Sequence, residues 1–168
     1  MPDYRVEHLH ELRRNAMLLD TGVLVRAFGQ SDDSAEVKYL LDEMEVQWLV
    51  PVCSIVEAWG QIVGSKKERL PYGVVMIRWL MTPGKAVVLA QQGEPIDKVL
   101  DFINRLRVDV VDAMLLSIAT DLTDQCSYVP PMHIASYDSD FYVGHGSEGV
   151  RMTAYSMHDA PDNPFETS

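Results

Sequence analysis

Two hydrophobic periods alternate along this chain, and that alternation constrains the fold more than any other feature. Short apolar runs of strand length, AMLLD (16–20), QWLVPVC (47–53), KAVVLA (85–90), HIASYD (133–138) and VRMTAYS (150–156), are separated by segments with helical spacing. In SAEVKYLLDEMEV, Val37, Leu40, Leu41 and Met44 recur at i, i+3, i+4 and i+7, with Ser34 as a candidate N-cap. SIVEAWGQIVG opens on Ser54 and has Glu57 three residues on, which is the spacing of a capping box. PIDKVLDFINRL carries Ile96, Val99, Leu100, Ile103 and Leu106 on one face. DVVDAMLLSIATDL has Val111, Leu115, Ile118 and Leu122 on a stripe flanked by further apolar residues, so that helix is expected to be buried on more than one side. Strands that alternate with helices predict an α/β fold with a mainly parallel sheet.

At 168 residues, 47% hydrophobic and 23% charged, the chain is expected to form one globular domain. Residues 1–14 read as an N-terminal extension, 15–156 as the domain and 157–168 as a polar tail. No apolar run approaches the roughly 20 residues that cross a bilayer, and the opening MPDYRVEHLHELRRN lacks the character of a secretory signal. Cys53 and Cys126 form no metal-type pair, and both are expected to be reduced thiols in a cytoplasm.

The net charge of −11 excludes a generic nucleic-acid binder, which would be basic overall. The acidity is uneven: residues 60–108 carry 8 basic and 4 acidic side chains, and SKKER at 65–69 is the densest basic cluster. A solvated helix end accounts for that cluster as well as an RNA contact does.

Carboxylates recur where strands end or helices begin. Asp20 closes the first strand, Glu57 lies one helical turn after the second, and Asp138 ends HIASY with Asp140 two residues on. Asp109 is a good N-cap, which sets Asp112 at the third helical position, near the positive end of the helix dipole. Open α/β sheets bind ligands beyond the carboxyl ends of their strands, so these acids are expected to converge on one sheet edge. Taken one at a time, each has a local reading: Glu57, Asp109 and Asp20 as helix caps, Asp140 as a turn residue. Convergence has a cost, because two carboxylates ~4 Å apart repel by about 4 kcal/mol at an effective dielectric of roughly 20. Raised pKa values relieve that repulsion, and so does a divalent cation. An all-oxygen set without histidine or cysteine suits Mg2+ or Mn2+, whose use is phosphoryl chemistry.

LLDTGVLVRAF, PVCSIVEAWG, VDVVDAMLLSIAT and IASYDSDF resemble, in order, the four acidic signatures of the PIN-domain nucleases, and most closely the VapC-like toxins. The resemblance spans about residues 15–156. It implies a three-layer α/β/α sandwich around a central, mainly parallel five-stranded sheet. It also implies Mg2+- or Mn2+-dependent cleavage of RNA, with Asp20, Glu57, Asp112 and Asp138 as catalytic and metal-holding residues and Asp140 as an accessory acid. Frequent homodimers and a small antitoxin partner are implied as well; the lack of a bilayer-length apolar run separately predicts no membrane association. Lys66, Lys67, Arg69 and Ser136 are the expected RNA contacts. Two positions depart from the pattern: Ser136 stands where threonine is commoner, and Tyr137 where many members have arginine.

Other classes remain open on the residues alone. A binding module would keep the acids but act by pairing with a protein, and the nine methionines suit adaptable interfaces. A processing nuclease would work without an antitoxin. A phosphotransferase would use Asp20 as nucleophile, but DTGVL lacks the second acid of the Asp-x-Asp pattern. Dinucleotide and P-loop glycine motifs are absent, and no serine sits in a nucleophile-elbow motif.

Overall fold

A computed structural model describes residues 3–4, 15–89, 91–92, 96–125, 131–139, 141 and 148–160. In chain order the strands and helices are β1 (Asp3–Tyr4), β2 (Ala16–Leu19), α1 (Thr21–Phe28), α2 (Ser34–Glu43), β3 (Gln47–Pro51), α3 (Val52–Ile62), α4 (Leu70–Met81), β4 (Ala86–Leu89), β5 (Gln91–Gln92), α5 (Ile96–Leu106), α6 (Val110–Gln125), β6 (Met132–Ser136) and β7 (Met152–Ser156). Short 3-10 turns cover Lys67–Arg69 and Met157–Asp159.

β4, β3, β2, β6 and β7 hydrogen-bond in that order, and every pairing is parallel. Leu18 on the central strand stands opposite Leu49 on one side and Ile134 on the other. Alternation along each strand divides the core in two. Ala16, Leu18, Leu49 and Ile134 pack with Phe102, Leu115 and Leu116 of α5 and α6. Met17, Leu19, Trp48 and Val50 pack with Leu24, Ala58 and Met76 of α1, α3 and α4. Helices therefore cover both faces, and the fold is the expected α/β/α sandwich around a five-stranded sheet. A separate ribbon pairs β1 antiparallel with β5, so part of the N-terminal extension is engaged.

Local devices fix the helices. Asp109 Oδ1 accepts from the Asp112 amide at 2.9 Å, the cap expected from the sequence. The Trp48 indole donates to Leu41 O at 2.9 Å, and the Trp79 indole to Asp42 Oδ1 at 3.0 Å, which clasps α2 between a strand and α4. Thr123 Oγ1 donates to Arg151 O and accepts from the Met132 amide, tying α6 to the starts of β6 and β7. α3 and α4 approach closely at Gly73, where an added Cβ would lie 2.6 Å from the side chains of both Trp59 and Val63.

Several expectations need correction. Ser34 does not cap α2; its hydroxyl donates backwards to the carbonyls of Arg26 and Gly29 at the end of α1. α3 begins at Val52, so Ser54 falls inside the first turn, buried and without a hydrogen-bond partner. The Ser54–Glu57 capping box therefore does not form. On α5 the buried residues are Val99 and Phe102, while Ile96 and Leu100 are exposed. α6 is buried all round from Leu115 to Thr120, as expected. Met157, assigned to the polar tail, is buried in the core. Among the described residues no helix is long and apolar enough to cross a membrane.

Candidate functional site

The chain leaves β2 toward β3 on one side and leaves β6 toward β7 on the other. Their carboxyl ends thus form a topological switch point, the place where open α/β sheets build their ligand crevices. A cavity of about 470 Å³ opens there. Asp20, Glu57, Asp109, Asp112 and Asp138 all line it, together with Thr21, Arg26, Gln61 and Tyr137. These acids meet at one sheet edge, as expected, and the five come from four separate stretches of chain, Asp109 and Asp112 sharing the start of α6. Asp140 and Cys126 lie outside the described residues.

Asp20 is the single residue between β2 and α1, and its amide donates to Ala135 O on the neighbouring β6 at 3.1 Å. It occupies the N-cap position of α1, but its side chain makes no capping hydrogen bond. Asp20 is 6% exposed, and its carboxylate accepts from Ser136 Oγ at 2.6 Å. Burial pushes the Asp20 carboxyl up to about 6; the Ser136 hydroxyl and a backbone contact at Thr21 pull it down, and the Asp138 and Glu57 carboxylates add to the rise. Ser136 Oγ also accepts from the Asp138 amide at 2.9 Å, so one hydroxyl sets both acids.

Glu57 belongs to the cavity and not to a cap. Its Oε2 accepts from Thr21 Oγ1 at 2.8 Å and its Oε1 from Gln61 Nε2 at 3.2 Å. Asp112 is half-buried at the N-terminal turn of α6. Asp138 is exposed at the end of β6.

Among the described residues no three His, Cys, Asp or Glu side chains close on a common point at metal-holding distance. The donor set nevertheless fits a hard divalent cation: it consists of carboxylate oxygens, one of them desolvated, around a polar cavity.

The expected RNA contacts fall elsewhere. Lys66, Lys67 and Arg69 sit at the turn before α4 and do not line the cavity. Ser136 is buried, and its hydroxyl serves Asp20 and Asp138. Sequence reasoning missed Arg26, Thr21 and Gln61. Gln61 follows Glu57 by four residues on α3, and Arg26 follows Gly22 by four on α1, so helical spacing from a candidate site residue was the available signal. Comparison with protein-family models gives no match, and comparison with curated proteins gives none either.

Proposed function

We propose that this chain is a metal-dependent nuclease of the PIN type that hydrolyses RNA phosphodiester bonds. The observation that carries the reading is the meeting of Asp20, Glu57, Asp112 and Asp138 around one cavity at the switch point of the sheet. These four would hold Mg2+ or Mn2+. Such a cation, when bound, supplies a nucleophilic water and offsets charge on the phosphodiester.

The protein's own side chains prepare the site. Ser136 fixes Asp20, and Thr21 with Gln61 fixes Glu57, so two carboxylates are oriented before anything binds. The Asp109 cap secures the first turn of α6 and with it the position of Asp112. Of these four, Asp138 at the end of β6 is the one that is exposed and open to an entering strand. In its more specific form the proposal is a toxin ribonuclease, cytoplasmic and homodimeric, silenced by a small antitoxin. The resemblance of the four acidic signatures supports that form.

The test is incubation of single-stranded RNA with the purified protein in Mg2+, Mn2+ or EDTA. Cation-dependent cleavage that disappears in Asp20→Asn supports the reading. An Asp20→Asn protein that cuts as fast as the parent overturns the site. A parent that cuts nothing with either cation leaves a protein-binding module as the better description.

A further inference from the structure

The acidic cavity poses an electrostatic problem for any RNA substrate. Five carboxylates line it in a chain of net charge −11, and phosphate contacts dominate nucleic-acid affinity. Among the described residues Arg26 is the only cationic side chain in that lining. We infer that Arg26 is the phosphate-binding residue of the cavity, seated on the Tyr137 ring and taking the backbone of single-stranded RNA beside the acids. This rests on the nuclease reading and adds to it the group that receives the substrate.

The geometry supports the assignment at three points. The Arg26 guanidinium lies 4.0 Å from the centroid of the Tyr137 ring, a cation–π seat that fixes its direction while leaving its charge intact. The ring is in turn braced by His158, edge-on at 5.0 Å. Ser34 Oγ donates to Arg26 O at 2.7 Å, which anchors the backbone that carries the side chain. Arg26 also has a carboxylate partner, Asp33, but the pair is loose at 3.6 Å and both side chains are about two-fifths exposed (39% and 40%). An exposed pair of this kind contributes little to stability and yields readily to a phosphate, which a guanidinium can grip with two N–H donors. Asp33 therefore acts as a releasable placeholder.

The test is initial-rate kinetics on a single-stranded oligouridylate in Mn2+ at a series of KCl concentrations. Arg26→Gln is expected to raise KM on the order of tenfold while kcat stays within about threefold, and to reduce the salt slope of binding by about 0.7, the share of one phosphate on a single strand. Arg26→Lys restores the slope, and Asp33→Asn lowers KM by freeing the guanidinium. Mn2+ binding, read by electron paramagnetic resonance, stays at the parent level in Arg26→Gln, which separates loss of a phosphate contact from collapse of the site. A parent that cuts RNA, with an Arg26→Gln protein of unchanged KM and salt slope, overturns this inference alone. A parent that cuts no RNA overturns the nuclease reading and this inference with it.

Discussion

Ser136 Oγ donates to Asp20 Oδ2 at 2.6 Å across 116 positions of sequence, and the same oxygen accepts from the Asp138 amide. A hydroxyl with both roles filled links the central strand to its neighbour at the point where the acids meet. Replacing Ser136 by Ala removes the hydroxyl that bonds both the buried Asp20 carboxylate and the Asp138 amide. That loss is expected to cost about 1–3 kcal/mol at neutral pH. Urea denaturation checks it, and threonine, which keeps the hydroxyl, should restore most of the lost stability.

Asp20 gives the fold a pH dependence of known sign. Its folded pKa is about 6 against an ordinary value of 3.8, so the folded state binds this proton more tightly than the unfolded state does. Stability from this group therefore rises as pH falls through 6 and levels off below 3.8. Above pH 6 the ionised carboxylate costs the folded state about 3 kcal/mol. Asp20→Asn is accordingly expected to be more stable than the parent at pH 7.5 in the absence of divalent cations, and the advantage should shrink toward pH 4. Urea midpoints of both proteins at the two pH values decide it; a variant less stable than the parent at pH 7.5 would show that the carboxylate is not under strain.

A divalent cation should relieve the same strain. Mn2+ at a hundredfold excess over its dissociation constant is expected to stabilise the parent by about 2.7 kcal/mol. EDTA should abolish the gain, and Asp20→Asn should show little of it. Thermal melts with and without Mn2+ at pH 7.5 read the effect. Equal stabilisation of parent and variant would mean that the cation binds away from Asp20.

The chain also contains a matched pair of helix glycines with opposite expected outcomes. A Cβ at Gly60 meets nothing within 4 Å, whereas a Cβ at Gly73 would press on Trp59 and Val63 at 2.6 Å. Alanine at position 60 should therefore stabilise by about 0.5–1 kcal/mol through its helix propensity. Alanine at position 73 gains the same propensity but must push α3 and α4 apart, for an expected net loss of about 1–3 kcal/mol. Denaturant midpoints of the two variants measured together separate packing from propensity.

What the sequence made legible follows from how local each signal is. The five sheet strands and the Asp109 cap depend on neighbours within a few residues, and all of them form as expected. Asp20, Glu57, Asp112 and Asp138 were legible because strand ends and helix starts mark a sheet edge without any contact being known. Ser34 and Ser54 carry the same local pattern as true caps, but the true helix starts and the nearby α1 carbonyls decide where their hydroxyls point. α4 carries no amphipathic signature in the sequence. Its segment, LPYGVVMIRWLM, is apolar on nearly every side, and Leu70, Val74, Val75 and Met81 stay exposed, so no amphipathic stripe marks it. Arg26 was missed because its partner, the Tyr137 ring, is brought to it only by the tertiary fold.

Thr21 offers the sharpest separation of positioning from folding. It is 4% exposed, and its hydroxyl spans from the start of α1 to Glu57 Oε2 at 2.8 Å. Valine has nearly the same shape and keeps the branched carbon that packs in the core, but it cannot donate. Glu57 would then retain only the longer contact from Gln61, at 3.2 Å, and would swing more freely in the cavity. Loss of an orienting contact of this kind typically costs about 10- to 100-fold in metal affinity or activity. Thr21→Val is therefore expected to lower cation-dependent RNA cleavage by that order while its thermal midpoint shifts little. Serine at the same position keeps the donor, so it should recover most of the rate despite losing a methyl group. A valine variant as active as the parent would mean that Glu57 needs no help from α1, and that its contact with Thr21 serves only to join two helices.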